Sequence, residues 1–174
     1  MWSPELFRAA RGVALALVLP LALSGCLRPL YAEAPSGGTV QEKLSGIIVD
    51  EVKDRIGHYL VEELRFNLDG SGAPAKPRYR LAMEVKETVS TAIISSQTGR
   101  AESATVTANV AFTLKAIGTD ETVLTGRAYA SASYDRSSQR FADVRAARDA
   151  EIRIAQQAAD QIRTRIAAHF ATKG

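Results

Sequence analysis

One cysteine, one tryptophan and two histidines occur in 174 residues, and each scarcity closes off a class of function. A single thiol permits no intrachain disulfide and no cysteine-built metal cluster. His58 and His169 both fall in stretches of helical periodicity, with no nucleophile or metal ligand at a usable spacing, so they read as surface or boundary residues. The glycines follow no phosphate-cradling pattern, and neither HExxH nor GxSxG occurs. Glu62 and Glu63 are consecutive on a helix and point in different directions. No catalytic residue, metal site or soluble cofactor is therefore expected, and the chain does not read as an enzyme. An excess of one charge is also missing. With 22 basic and 19 acidic residues, bulk electrostatic capture of nucleic acid is not expected.

The one cysteine has a telling place. Arg8 and Arg11 precede an apolar run over residues 12–23, broken by Pro20, and Ser24-Gly25 lead into Cys26. Such a run spans roughly 18 Å, short of the roughly 30 Å hydrocarbon core, so it reads as a secretory signal and not as a membrane span. Leu23-Ser24-Gly25-Cys26 resembles the lipobox of bacterial lipoproteins, which implies cleavage of a 1–25 signal peptide and a covalent lipid on Cys26, with an uncleaved signal anchor as the alternative. A multiply acylated terminus holds firmly to a membrane. Only Arg8, Arg11 and Glu5 leave with the signal, so the remainder stays close to charge balance.

Residues 26–45 read as the lipidated terminus and a flexible tether, rich in small residues with Pro35 and Gly37-Gly38. A single domain is expected over 46–174. Its opening run Gly46-Ile47-Ile48-Val49 fits a buried strand. Asp54 offers an N-cap, and Ile56, Tyr59, Leu60 and Leu64 recur at helical spacing, which predicts a helix over 54–67 in which Gly57 is a weak point. From Tyr79 the period becomes two. Tyr79, Leu81, Met83, Val85, Val89 and Ile93 share one face, on which Glu87 is the one charge. Val106, Ala108, Val110, Phe112 and Leu114, then Leu124, Ala128, Ala130, Ala132 and Tyr134, continue it. The opposite face is rich in Thr, Ser and Asn. Three long antiparallel strands follow from this pattern.

The span 141–170 returns to helical period without glycine or proline, with Val144, Ala155, Ala158, Ala159, Ile162 and Ile166 on one arc. Arg148 and Glu151 intrude on that arc and are expected to pair with each other at i,i+3. The whole predicts an α+β fold: a two-layer sandwich with two helices on one face of a four-stranded, mostly antiparallel sheet.

These residues resemble a family. Gly25-Cys26-Leu27 followed by Arg28, Pro29, Leu30 and Tyr31, the Asp54-Arg55-Ile56-Gly57 helix opening, and the 148–162 helix are similar to the lipopolysaccharide-assembly lipoprotein family LptE, in its alphaproteobacterial form. The resemblance implies an outer-membrane lipoprotein, anchored by its lipid, that plugs and helps assemble the LptD barrel and faces the periplasm and the barrel lumen. Lipopolysaccharide is the implied ligand. A polar sheet face suits a barrel lumen, and Leu27 is not the aspartate that resembles an inner-membrane retention signal. On chemistry alone, Arg100, Lys115 and Arg127 are candidates for lipopolysaccharide contact. The alternative is a generic periplasmic lipoprotein acting as an auxiliary subunit of an envelope lipid transporter.

Overall fold

The computed structural model describes residues 39–69, 76–94 and 101–173, apart from the side chains of 92–94 and 101–102. In chain order these form α1 (Val40–Ser45), β1 (Ile47–Val49), α2 (Arg55–Asp69), β2 (Tyr79–Ile94), β3 (Ala101–Ala116), β4 (Thr122–Asp135) and α3 (Arg140–Lys173). The four strands make one sheet in the order β1-β2-β3-β4. β1 and β2 are parallel, so a crossover is required between them, and α2 supplies it. β2, β3 and β4 form an antiparallel meander. The α+β expectation holds.

Period-two patterning has the consequence it should. Val106, Ala108, Val110, Phe112, Leu114, Ala128, Ala130 and Ala132 are buried against the helical layer. Phe112 faces Gly126 across the β3–β4 pair. A Cβ at Gly126 would lie 2.5 Å from the Phe112 ring, so the glycine makes room for it.

Three expectations need correction. The tether was to run to residue 45, but α1 begins at Val40 under a capping box: the Thr39 hydroxyl accepts from the Glu42 amide at 3.2 Å, and the Thr39 amide donates to the Glu42 carboxylate at 3.0 Å. Val40 and Leu44 are fully buried, and the Gln41 side chain caps α2 by donating to the Leu68 carbonyl at 3.2 Å. Residues 39–45 therefore belong to the folded body. Next, Val89 and Val144 were placed inward, yet they are 54% and 52% exposed. The cause is length. The 15 residues of α2 span about 22 Å, whereas the 16 residues of β2 span about 53 Å. α2 covers only the β1 end of β2, and the first turns of α3 face no second helix among the described residues. Last, Glu151 does not pair with Arg148. Its carboxylate is buried and takes two bonds from the Arg55 guanidinium at the start of α2, one of them 2.6 Å from Arg55 Nε.

α3 also closes one edge of the sheet. The Arg165 guanidinium donates to the Arg127 carbonyl. Gln161 accepts from the Tyr129 amide at 3.2 Å and donates to its carbonyl at 2.8 Å, and Arg153 donates to the Ser133 carbonyl at 3.1 Å. Four helical residues rise about 6 Å and two strand residues about 6.6 Å, so side chains from successive helical turns meet alternate residues of β4. These bonds occupy backbone groups of Arg127, Tyr129 and Ser133 that would otherwise be offered to another chain.

Gly57 has the opposite meaning from the one its helix propensity suggests. It is buried, its amide donates to the Asp54 N-cap at 2.6 Å, and an added Cβ would sit 2.6 Å from Val52 Cβ and 2.9 Å from Asp54 Oδ1. Propensity alone makes Gly57→Ala stabilising by about 1 kcal/mol. The overlap reverses the sign, because such crowding costs about 1–3 kcal/mol. A lowered urea midpoint with unchanged slope is the expected result, and a raised midpoint would contradict this packing.

Candidate functional site

Cys26, the Leu23, Ser24 and Gly25 that precede it, the Arg28 to Tyr31 motif and Arg100 lie outside the described residues. The other two basic candidates are both on the outer sheet face. Lys115 is opposite Arg80 at the β3–β4 turn, beside a depression of about 510 Å³ lined by Arg80, Ile117, Gly118, Thr119 and Asp120. Arg127 lies two same-face rungs further along, opposite Ala111, and borders a separate depression of about 430 Å³ with Glu84, Lys86, Thr88 and Asn109. Each depression also holds one carboxylate, Asp120 in one case and Glu84 in the other, and Glu84 pairs with Lys86 at 3.4 Å. The structure does not bring Lys115 and Arg127 together.

The outer face itself is the larger feature. β2 from Leu81 to Ser90, β3 from Thr105 to Leu114 and β4 from Leu124 to Ser133 are in continuous register, so their outward residues stand in rungs. Arg80 with Lys115 and Glu84 with Ala111 and Arg127 form the charged half. Beyond Lys86, Asn109 and Tyr129 come Thr88, Thr107 and Ser131, then Ser90, Thr105 and Ser133. In the last rung the Thr105 and Ser133 hydroxyls are 2.8 Å apart. Nothing apolar and large interrupts these two rungs. The face suits water or a hydrogen-bonding wall and suits hydrocarbon poorly.

A second surface, missed in the sequence pattern, lies at the end where α3 begins. Phe141 is 75% exposed there, and with Val144, Arg145, Arg148, Asp149 and Ile152 it lines a cleft of about 430 Å³. The Arg145 guanidinium sits 5.9 Å from the centre of the Phe141 ring. Apolar surface rimmed by guanidinium groups is chemistry for an amphiphile with acidic groups. The signal available in the sequence was a large aromatic between Arg140 and Arg145 on a helix whose opposite arc carries most of the alanines.

The charged cluster at the middle of the sheet is of another kind. Arg55 bridges α2 to Glu151 of α3, and Glu87 of β2 faces the pair. Burial holds the Glu87 carboxyl above its ordinary range, the nearby Glu151 adds to this, and Arg55 pulls against it. Arg55 and Glu151 satisfy each other within the fold, and no bound substrate is required to explain that pair; Glu87 adds a second carboxylate beside the same cation. His169 packs edge-on to Phe170, at 5.9 Å between ring centres, and burial with Lys173 nearby keeps its pKa below the usual value. Among the described residues no group of His, Cys, Asp and Glu is placed to hold a metal, and no helix is long and apolar enough to cross a membrane.

Comparison with known proteins agrees with this architecture. The model of the family described as LptE, lipopolysaccharide-assembly, matches residues 43–166. Among solved structures, a candidate lipoprotein from Caulobacter crescentus CB15 is 28% identical, with a TM-score of 0.63 over 77% of this chain and 97% of that one. The rare lipoprotein B of Shewanella oneidensis is 16% identical, with a TM-score of 0.51 over 70% of this chain and 92% of its own. A minor lipoprotein from Acinetobacter baumannii is 14% identical, with a TM-score of 0.53 over 70% and 88%. The last two share the fold. No curated protein matches the chain.

Proposed function

The chain belongs to the LptE lipopolysaccharide-assembly family, and we propose that it is an outer-membrane lipoprotein, anchored through Cys26, whose folded body fills the LptD barrel and helps that barrel assemble. The observation that carries the reading is the outer face of the sheet. Its Ser and Thr rungs, continued by a half that carries Arg80, Lys86, Lys115 and Arg127 against Glu84, match the polar wall of a barrel lumen, where a rigid insert gains by hydrogen bonding and would lose by presenting hydrocarbon. A two-layer body with no catalytic constellation among the described residues fits a structural insert. Lipopolysaccharide is the second proposed partner. Its phosphates and acyl chains correspond to the guanidinium groups and apolar side chains of the cleft around Phe141, with Arg100, Lys115 and Arg127 as further cationic contacts.

Depletion of the protein tests the proposal. Correctly assembled LptD and surface lipopolysaccharide are expected to fall together. If both stay at their normal level, the plug reading fails, and the auxiliary role in an envelope lipid transporter replaces it.

A further inference from the structure

The two edges of the sheet are treated differently. β4 is partly capped by Arg153, Gln161 and Arg165. On the other side β1 pairs with β2 only from Tyr79 to Leu81, and beyond Leu81 no described strand lies beside β2. The direction of its backbone groups follows from three bonds. The Tyr79 amide donates to Gly46 and the Leu81 carbonyl accepts from Asp50, both on the β1 side, while the Arg78 carbonyl accepts from Ile117 on the β3 side. The β2–β3 register is unbroken as far as Ser90, so the alternation continues. Met83, Val85, Glu87 and Val89 therefore turn their N–H and C=O groups outward along the open edge.

The same four residues point their side chains toward the helical layer, at the place α2 is too short to cover. Met83 and Val85 are half-buried and Val89 is 54% exposed. A row of free backbone groups beside a half-covered apolar strip is what an added strand completes. Glu87 decides the kind of strand. It and Glu151 face the single cation Arg55, which leaves one negative charge uncompensated where an inward side chain of the added strand would lie.

We propose that residues 83–89 of β2 receive an extended segment of the barrel partner, with alternating apolar and polar residues and a lysine or arginine turned inward beside Glu87. The proposal rests on the plug reading for the identity of the partner. Glu87 does a second job in it: an inward charge on an open edge discourages strands that lack the matching cation.

Hydrogen exchange at single-amide resolution tests this on the full-length protein alone and on the complex purified with LptD in detergent. In the protein alone, the amides of Met83, Val85, Glu87 and Val89 are expected to exchange freely, while those of Glu84, Lys86 and Thr88, which face β3, are slow. In the complex the four odd-numbered amides slow by at least about tenfold. Val85→Pro removes one outward N–H and no β3 bond, so it should keep a cooperative melt and lower recovery of the barrel. Odd amides that stay fast in an intact complex overturn the proposal and leave the plug reading standing. Odd amides already slow in the protein alone also overturn it: concentration-dependent protection points to a second copy, and concentration-independent protection to this chain's own N-terminal segment. Absence of LptD from the preparation sinks the plug reading and, with it, the partner named here.

Discussion

Arg55→Ala is expected to destabilise the domain by about 3 kcal/mol, because it leaves the Glu151 carboxylate buried without its counter-ion. The value sits at the low end for a broken buried pair, since the Arg55 side chain is 61% exposed and only Glu151, at 4%, is withdrawn from water. Loss of the pair also frees the start of α2 from α3. In a domain of this size the melting temperature should drop by roughly 10 °C. Combining Arg55→Ala with Glu151→Met removes the orphaned charge and should recover most of the loss. A single variant within about 0.5 kcal/mol of the parent would show that the carboxylate reaches water after all.

The pH dependence of that variant has a determined sign. Glu87 has its carboxyl pKa raised in the folded state, so the fold binds its proton more tightly than the unfolded chain does. Its ionisation therefore costs stability once the pH exceeds the raised value, and that cost vanishes in acid. Arg55 is the one neighbour that lowers it. Without Arg55 the cost grows at pH 7, and the gap between variant and parent should narrow as the pH falls toward the carboxylate range. Denaturant curves at neutral and acid pH would check this.

Ile162→Ala should cost about 3–4 kcal/mol, within the span for truncating a fully buried isoleucine. Ile162 is at 0% exposure in the middle of α3, flanked along the helix by Ala155, Ala158 and Ala159, which are also buried. Those alanines bring α3 close to the sheet and to α2, so the nearby side chains are short and cannot swing in to fill a void. The cavity stays open, and its full cost is felt. Val144→Ala on the same helix is the control. Val144 is 52% exposed, and its truncation should change stability by no more than about 0.5 kcal/mol. Equal losses at the two positions would mean that the start of α3 is covered as well as its middle.

That pair of residues marks where sequence reasoning stops. Helical period puts Val144 and Ile162 on one arc of one helix, and no local signal separates them. What separates them is where α2 begins, at Arg55 beside Glu151, a fact about a different segment. Val89 tells the same story on β2. α1 was a different kind of miss, because its signal was present: Thr39-Val40-Gln41-Glu42 is a capping box with Val40 and Leu44 one turn apart. A glycine-rich approach and a length of six residues hid a helix that its own residues announce.

Local chemistry was enough for the alternation of the three long strands, the faces they turn inward, the helical period at both ends of the domain, and the α+β class, because each depends on a repeat within one segment. The scarcity of catalytic groups and the lipobox-like Leu23 to Cys26 were equally plain in one dimension. Tertiary structure decided which buried charge meets which: Glu151 meets Arg55, far away in sequence, and not Arg148 one turn away. It turned Gly57 from a weak point into a required contact, by placing Val52 against it. It laid α3 side chains along β4 and, among the described residues, placed no strand beside β2 beyond Leu81. All of these depend on where one element ends relative to another, and periodicity within an element carries no information about the length of the element that covers it.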